Sequence, residues 1–317
     1  MTYILFVVGF VVLIKGSDLL IDGASSIAKK MNISNLVIGL TVVAFGTSTP
    51  ELFVNIFASV DGNTELAIGN ILGSNIANIL LILGVAAVIY PVSIQKSTLY
   101  KEIPFSLLAA VVLGILANDR LLDGSETSEV TRSDGFVLIG FFIIFMYYIM
   151  GIAKASATDD ANSVKVMSTW KSILLVIFGL AGLAVGGQWI VNGALEIAAR
   201  FGVSQSLVGL TVVAIGTSLP ELATSAMAAY KKNTDIAVGN AVGSNIFNIF
   251  WVLGLSAIIK PLPFQPKSNT DVIMTIISSL LLFGLLFLGK RHLLQRWQGV
   301  LFLLTYIAYI IFLVWRG

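Results

Sequence analysis

Two glutamates, Glu51 and Glu221, lie in stretches whose other residues are typical of buried apolar helices. A charged side chain at the centre of a bilayer costs at least about 2.5–3.5 kcal/mol on insertion scales. Neither stretch contains a lysine or arginine that could offset the charge. A bound metal ion is therefore the simplest source of positive charge, and protonation of the carboxyl groups is the alternative.

Further oxygen-bearing side chains share a helix face with each glutamate, or lie on one face of the following helix. These candidates are Thr47, Asn55, Asn70, Ser74, Asn78, Thr217, Ser225, Asn240, Ser244 and Asn248. The chain has no cysteine, and its single histidine, His292, lies in a basic cluster. Oxygen ligands alone favour Ca²⁺, Na⁺ or Mg²⁺ over zinc, copper or iron. Hydrogen bonding between helices is the alternative role for any one of these side chains.

Prolines next to both glutamates predict breaks in the helices that carry them. Pro50 has no N–H to bond the carbonyl of Gly46, and Pro220 leaves the carbonyl of Gly216 free in the same way. Irregular backbone at membrane depth is tolerated where it lines a cavity in the protein, and its carbonyl groups can bind cations.

The composition indicates what kind of protein must hold these residues. Of 317 residues, 57% are hydrophobic and 11% charged, and the mean hydropathy is +0.94. Soluble domains carry about 25% charged residues, so a soluble globule, a disordered chain and a nucleic-acid-binding protein are excluded. The sequence predicts an all-α polytopic membrane protein with ten helices, each of about 20 apolar residues or more. The predicted spans are 3–28, 35–60, 64–90, 103–118, 135–153, 171–199, 205–230, 236–260, 271–289 and 297–315.

An internal repeat relates the two halves of the chain. Residues 34–84 align with residues 204–254 at a constant offset of 170, and 27 of these 51 positions are identical. Each copy lies within a predicted unit of five helices, residues 1–153 and 171–317, separated by a cytoplasmic linker at 154–170. Because five is odd, the second unit must cross the membrane in the opposite sense, which is the inverted-repeat plan of many secondary transporters.

The distribution of basic residues predicts the orientation. With the N-terminus outside, the inner connections contain twelve Lys and Arg residues and the outer ones six. The excess of positive charge marks the cytoplasmic side, so both termini are predicted outside. In the first helix, Lys15 and Asp18 are three residues apart, which predicts a local ion pair.

The paired motifs resemble those of a known family. GTSTPE at 46–51 and GTSLPE at 216–221, with GNILGSNIAN at 69–78 and GNAVGSNIFN at 239–248, are similar to the α-repeats of the sodium/calcium exchangers. These belong to the cation/calcium antiporter superfamily. The likeness is strongest to compact prokaryotic members in the cell membrane, because the 154–171 connection is too short for a large regulatory loop.

The resemblance implies a set of ion ligands. Glu51 and Glu221 would be the carboxylates shared by Ca²⁺ and Na⁺, and Asn78 and Asn248 would flank the middle position. The implied hydroxyl and backbone-carbonyl ligands are Thr47, Thr217, Ser74, Ser244, Ala44 and Ala214. The potassium-dependent exchangers carry Asp where this chain has Asn248, which argues against potassium dependence.

The predicted function is secondary active antiport of Ca²⁺ against Na⁺ by alternating access. H⁺/Ca²⁺ antiport through the same glutamates is the alternative, although proton-coupled relatives usually carry acidic GNxxE motifs in place of GSN. A cation channel is a further alternative. Neither a Ser–His pair, a metal-binding His motif nor a paired catalytic Asp motif supports an enzyme. No cofactor, nucleic acid or obligatory protein partner is expected beyond the transported ions and the lipid bilayer.

Overall fold

Helices make up almost all of the fold. The computed structural model describes residues 2–62, 64–155, 166–200 and 214–316. The α-helices are α1 Thr2–Met31, α2 Asn35–Ile38, α3 Ala44–Thr47, α4 Thr49–Asp61, α5 Thr64–Ala77, α6 Leu83–Ile89, α7 Lys96–Tyr100, α8 Glu102–Leu116, α9 Asp119–Leu122, α10 Arg132–Ala155, α11 Thr169–Arg200, α12 Ala214–Thr217, α13 Leu219–Tyr230, α14 Thr234–Ile246, α15 Gly254–Ile259, α16 Asn269–Leu285 and α17 Arg296–Arg316. Short strands are β1 Val92–Ser93, β2 Glu129–Val130, β3 Leu262–Pro263 and β4 Leu293–Leu294.

The helices are long and apolar enough for a multi-pass integral membrane protein. In the described part of the chain, eight helical stretches could each cross a bilayer, and the bent pair Asn35–Thr47 and Thr49–Asp61 could form a ninth. The predicted seventh span, 205–230, begins with residues outside the described ranges, so the count of ten stays a prediction. Most of the predicted linker at 154–170 also lies outside those ranges.

The predicted break beside Glu51 is present in the structure. The helix axis bends by 45° between Thr47 and Thr49. Ser48 lies at the break, and Pro50 follows in the first turn of α4, where its missing N–H leaves no helical hydrogen bond unmade. The second copy is broken in the same way at Ser218, between α12 and α13.

Two helical stretches form the centre of the molecule. In each of the spans Glu65–Ile89 and Thr234–Ile259, 78% of an apolar segment of 18 residues is buried within the protein. Both contain a π-helical turn, at Asn78–Ile82 and at Phe247–Leu253. A π turn adds a residue to the helix and redirects the side chains around it, which is why such turns are frequent at functional sites. Here the two turns begin at or next to Asn78 and Asn248.

The two longest helices, α1 and α11, pack against each other through glycine. A methyl group on Gly16 would lie 2.9 Å from the carbonyl oxygen of Gly179, and one on Gly186 would lie 2.8 Å from that of Gly9. Side chains at these positions would force the helices apart, so glycine is what allows the two backbones to touch.

Two small antiparallel sheets link connections from the two halves of the chain. Val92 of β1 pairs with Leu294 of β4, and Glu129 of β2 pairs with Pro263 of β3. Strands β1 and β3 are related by the offset of 170 residues. Strand β1 of the first repeat pairs with β4 of the second, and β3 of the second repeat pairs with β2 of the first. Each sheet also joins two connections that the basic-residue distribution places on the same side of the membrane.

Candidate ion-binding site

Glu51 and Glu221 are both completely buried, with 0% of the side chain exposed. Each lies in the first turn of a helix, α4 or α13, which begins at the break just before it. The free N–H groups at a helix N-terminus stabilise negative charge nearby. The break therefore places each carboxylate where the backbone makes a charge less costly, although it supplies no whole positive charge.

Serines at the two helix breaks connect the glutamates across the repeats. Ser48 Oγ lies 2.9 Å from Glu221 Oε1, and Ser218 Oγ lies 3.5 Å from Glu51 Oε1. Neither serine was predicted as a ligand from the sequence, because helical spacing pairs each glutamate with the threonine four residues before it. Their presence in both GTS motifs was the available signal.

The serines of the following helices lie beside the same glutamates. We use the name cluster for Glu51, Glu221, Ser48, Ser218, Ser74, Ser244, Asn78 and Asn248. Ser48 Oγ is 2.9 Å from Ser244 Oγ, and Ser218 Oγ is 3.1 Å from Ser74 Oγ. Ser74 Oγ also lies 3.4 Å from Glu51 Oε1. The two predicted serine ligands are thus within hydrogen-bond reach of side chains that contact the glutamates.

The predicted threonine ligands contact asparagines of the opposite repeat. Thr47 Oγ1 is 3.0 Å from Asn240 Oδ1, and Thr217 Oγ1 is 3.2 Å from Asn70 Oδ1. The two contacts are equivalent, because Thr217 corresponds to Thr47 and Asn240 to Asn70 at the offset of 170 residues. Both asparagines therefore take part in interhelical hydrogen bonds, the alternative role that their position left open.

The backbone carbonyl of Ala44, a predicted ligand, already accepts hydrogen bonds near the helix break. The carbonyl oxygen of Ala44 accepts the N–H of Ser48 at 3.0 Å and the hydroxyl of Thr47 at 3.3 Å. Its counterpart Ala214 is the first residue of α12. Asn55, on the same helix face as Glu51, donates its Nδ2 to the Glu51 backbone carbonyl at 3.0 Å.

Four buried oxygens in the cluster have no hydrogen-bond partner among the described residues. They are Glu51 Oε2, Glu221 Oε2, Asn78 Oδ1 and Asn248 Oδ1. Buried polar atoms in proteins are nearly always hydrogen-bonded, so an unpartnered group needs an explanation. Carboxylate and amide oxygens are ligands of hard cations such as Ca²⁺, and these four match that chemistry.

No basic side chain in the described part of the chain forms an ion pair with either glutamate; the ion pairs there involve other acids. The same residues contain no group of three or more acidic, His or Cys side chains able to hold a metal ion. The charge of the cluster, with both carboxyl groups ionised, is therefore −2.

Asp18 and Asp22 of α1 have a different environment. Lys231 Nζ lies 2.6 Å from an oxygen of each aspartate. The expected local pair between Lys15 and Asp18 is therefore wrong: Asp18 bonds to a lysine 213 residues away in sequence, beyond the end of α13. The helix packing brings Lys231 between the two acids, which no spacing rule within α1 can foresee.

A third buried glutamate lies outside the cluster. Glu102, in the first turn of α8, is fully buried and accepts a hydrogen bond from the hydroxyl of Tyr148 in α10. Glu102 was not predicted as a buried acid from the sequence, since it stands beside Lys101 at the edge of a predicted span. It provides a matched control for the loss of a buried carboxylate.

A buried acidic cluster among helices long enough to cross a membrane is typical of proteins that bind or transport cations within the bilayer. The family model for the sodium/calcium exchanger protein matches residues 1–151 and 171–315, and the chain belongs to this family. The resemblance seen in the motifs is thereby confirmed. The family is one of transporters rather than enzymes, and the chain is a cation/Ca²⁺ antiporter.

Relatives match over nearly the full length. The putative antiporter CaxA of Alkalimonas amylolytica is 38% identical over 316 residues, which cover 96% of each chain. The sodium/calcium exchanger MaX1 of Methanosarcina acetivorans is 33% identical over 345 residues, with 98% of each chain covered. A solved structure of the sodium-calcium exchanger NCX_Mj has a TM-score of 0.84 at 36% identity, covering 98% of this chain and 99% of that one.

Proposed function

We propose that the protein exchanges Ca²⁺ for Na⁺ across the membrane, with both ions competing for a site between Glu51 and Glu221. One observation carries this proposal: two fully buried glutamates from equivalent positions have unpartnered oxygens and no basic partner among the described residues. Their combined charge of −2 is balanced by one Ca²⁺ or by two Na⁺. The two loads therefore exclude each other, and a carrier that crosses only when loaded performs antiport.

The proposed ligands are the two carboxylates and the oxygens around them. The hydroxyl contacts Ser48–Glu221 and Ser74–Glu51 place ligand oxygens beside the charge. The full proposed set is Glu51, Glu221, Thr47, Thr217, Ser74, Ser244, Asn78, Asn248 and the carbonyl groups of Ala44 and Ala214, extended by Ser48 and Ser218.

The proposed architecture is ten helices in two inverted repeats of five, within residues 1–153 and 171–317. Reciprocal contacts support it: Ser48 reaches Glu221 and Ser218 reaches Glu51, and the contacts Ser48–Ser244 and Ser218–Ser74 exchange in the same way, as a two-fold axis requires. Strand pairs β1–β4 and β2–β3 exchange in the same way. Two repeats of opposite orientation can form access paths to either side of a shared central site.

Sodium coupling is proposed over proton coupling because the serines of both GSN motifs contact the cluster as neutral hydroxyl groups. The sodium/calcium exchanger name of the relative MaX1 points the same way. Proton coupling stays a second candidate, since a buried carboxyl without a basic partner can also be neutralised by a proton.

Transport by purified protein in liposomes tests the function. We expect an imposed Na⁺ gradient, at clamped pH and clamped membrane potential, to drive Ca²⁺ movement against its own gradient. Movement driven only by a pH gradient would establish proton coupling instead. Ca²⁺ flux that needs no counter-ion gradient would indicate a channel.

Glu51→Gln and Glu221→Gln test the site in the same assay. Each removes one of two balancing charges and is expected to abolish exchange, whereas Glu102→Gln removes a buried carboxylate outside the cluster and is expected to retain it. Exchange by a folded Glu51→Gln variant at the wild-type rate would refute the site.

A further inference from the structure

Two buried asparagines, Asn75 and Asn245, lie beside the cluster without belonging to the proposed ligand set. Asn75 is completely buried and Asn245 is 1% exposed. Each is the asparagine of a GSN motif, and each contacts the opposite repeat. Their hydrogen bonds determine how two of the proposed ligands are oriented.

The orientation of Asn75 is fixed by a backbone group. Its Nδ2 donates to the carbonyl oxygen of Asn245 at 3.2 Å. A carbonyl oxygen only accepts hydrogen bonds, so the NH₂ end of Asn75 must face it. The Oδ1 end of Asn75 is thereby directed the other way, toward Asn248.

Asn248 must then present its own NH₂ group to Asn75. Its Nδ2 lies 3.0 Å from Asn75 Oδ1, and also 3.1 Å from Ser74 Oγ. With its donor end held by these two acceptors, the amide oxygen of Asn248 faces away from them. That oxygen is buried and has no partner among the described residues.

In the other repeat, a single contact within the described ranges orients Asn78. Asn78 Nδ2 donates to Asn245 Oδ1 at 2.9 Å, and Asn78 Oδ1 is left buried without a partner in the described part of the chain. The two oxygens proposed as ligands are thus the ends that remain when Asn75 and Asn245 have taken the NH₂ groups.

We propose that Asn75 and Asn245 are positioning residues that keep the amide oxygens of Asn248 and Asn78 turned toward the cation. This inference rests on the proposed function. The two ends of an amide are nearly equal in size, and the terminal torsion of asparagine is broad and roughly two-fold. A half turn would replace an acceptor with an NH₂ donor, which repels a cation. The Oδ1 atoms of Asn75 and Asn245 accept the NH₂ groups of Asn248 and Asn78 on the side away from the ion. The amide oxygens of Asn248 and Asn78 are then left facing the ion.

A double-mutant cycle on purified protein, read by calorimetric titration with Ca²⁺, tests this role. Asn75→Leu is expected to weaken Ca²⁺ binding about tenfold, the lower end of the loss seen when a partner of a metal ligand is removed. In an Asn248→Asp background the same change is expected to cost less than twofold, because a carboxylate presents oxygen in either orientation. A loss of packing or folding would carry over equally into both backgrounds.

Two further cycles check the pairing. Asn245→Leu is expected to be rescued in the same way by Asn78→Asp. Asn75→Leu is not expected to be rescued by Asn78→Asp, since Asn75 contacts Asn248. If Asn75→Leu does not elute as folded protein on gel filtration, Asn75→Ser removes the same hydrogen bonds with less bulk, and the same pattern is expected.

The outcomes separate this inference from the proposed function. If Glu51→Gln leaves Ca²⁺ binding intact, the site itself is refuted. If Glu51→Gln abolishes binding but Asn75→Leu costs the same with Asn or Asp at position 248, the site stands and the positioning role is wrong. No loss from Asn75→Leu in the wild-type background would also overturn it.

Discussion

Two pairs of acidic side chains in this molecule have opposite surroundings. Asp18 and Asp22 are partly exposed, with 35% and 53% of their side chains accessible, and Lys231 bonds to both at 2.6 Å. Glu51 and Glu221 are completely buried, and no basic residue in the described ranges pairs with either. The acids with access to water have a resident cation, and the acids without it have none.

The difference indicates what each pair is for. An ion pair near the surface contributes about 0–1 kcal/mol and needs nothing more from its surroundings. A buried carboxylate without a partner is costly unless it is neutralised. A fixed lysine at Glu51 and Glu221 would remove that cost permanently, but it would also occupy the site. Leaving the charge unbalanced makes the pair depend on an exchangeable ion.

The largest expected effect comes from removing one charge of the buried pair. A ligand at about one hundred times its dissociation constant stabilises a protein by about 2.7 kcal/mol, so Ca²⁺ is expected to raise the melting temperature of the wild type. Glu51→Gln and Glu221→Gln are each expected to lose this rise, because one carboxylate cannot balance Ca²⁺. The measurement is thermal unfolding in detergent with and without Ca²⁺. Loss of the Ca²⁺ response in the control Glu102→Gln would show that any buried carboxylate has this effect.

A lysine placed next to the buried glutamates should give them a resident cation, as Lys231 does for Asp18 and Asp22. Asn248→Lys is expected to abolish Ca²⁺ binding, because the ammonium group takes the place of the ion. Asn248→Met has a side chain of similar length without the charge, and it is expected to weaken binding only about tenfold. Calorimetric titration measures both affinities. Equal affinities of the two variants for Ca²⁺ would contradict the proposed electrostatic competition.

Removing the serine hydroxyls at the helix breaks should have an intermediate effect. A hydrogen bond to a charged group contributes about 1.5–3 kcal/mol, so Ser48→Ala is expected to weaken Ca²⁺ binding by about tenfold or more. Ser218→Ala should cost less, because its contact with Glu51 is 3.5 Å against 2.9 Å for Ser48 with Glu221.

The matched control for these variants is Ser59→Ala, since Ser59 is also fully buried but its hydroxyl has no partner in the described residues. Its Ca²⁺ affinity is expected to equal that of the wild type. The reverse order, with Ser59→Ala costing more than Ser48→Ala, would remove the serines from the site.

The smallest effect is expected at the exposed pair. Lys231→Met leaves Asp18 and Asp22 without their cation but in contact with water, so stability should fall by no more than about 1 kcal/mol. The loss should shrink in high salt, which screens exposed charges. Ca²⁺ affinity is expected to stay within twofold of the wild type. Thermal unfolding at two salt concentrations and calorimetry check these points, and abolished Ca²⁺ binding would place Lys231 in the transport mechanism.

The sequence predicted those features that depend on local chemistry or on the repeat. The helix break follows from Pro50, because proline disrupts the helical hydrogen-bond pattern wherever the helix packs. The buried glutamates follow from acidic residues in apolar stretches, and the relation of the two halves follows from the constant offset. The first two are visible within a few turns of helix, and the third in a direct alignment of the two halves of the sequence.

Contacts between distant helices could not be predicted in this way. Ser48 meets Glu221 across 173 residues and Asp18 meets Lys231 across 213. Spacing rules describe neighbours on one helix, so they assigned Asp18 to Lys15 and overlooked Ser48. Glu102 was missed because it stands beside Lys101 at the edge of a predicted span, and its contact with Tyr148 of another helix is equally invisible to spacing rules.

An experimental structure of the protein with bound Ca²⁺ tests the central claim most directly. We expect an ion between the two repeats, with oxygens of both Glu51 and Glu221 about 2.3–2.6 Å from it. Calcium bound elsewhere, with the two carboxyl groups apart and facing lipid or bulk water, would contradict the proposed site.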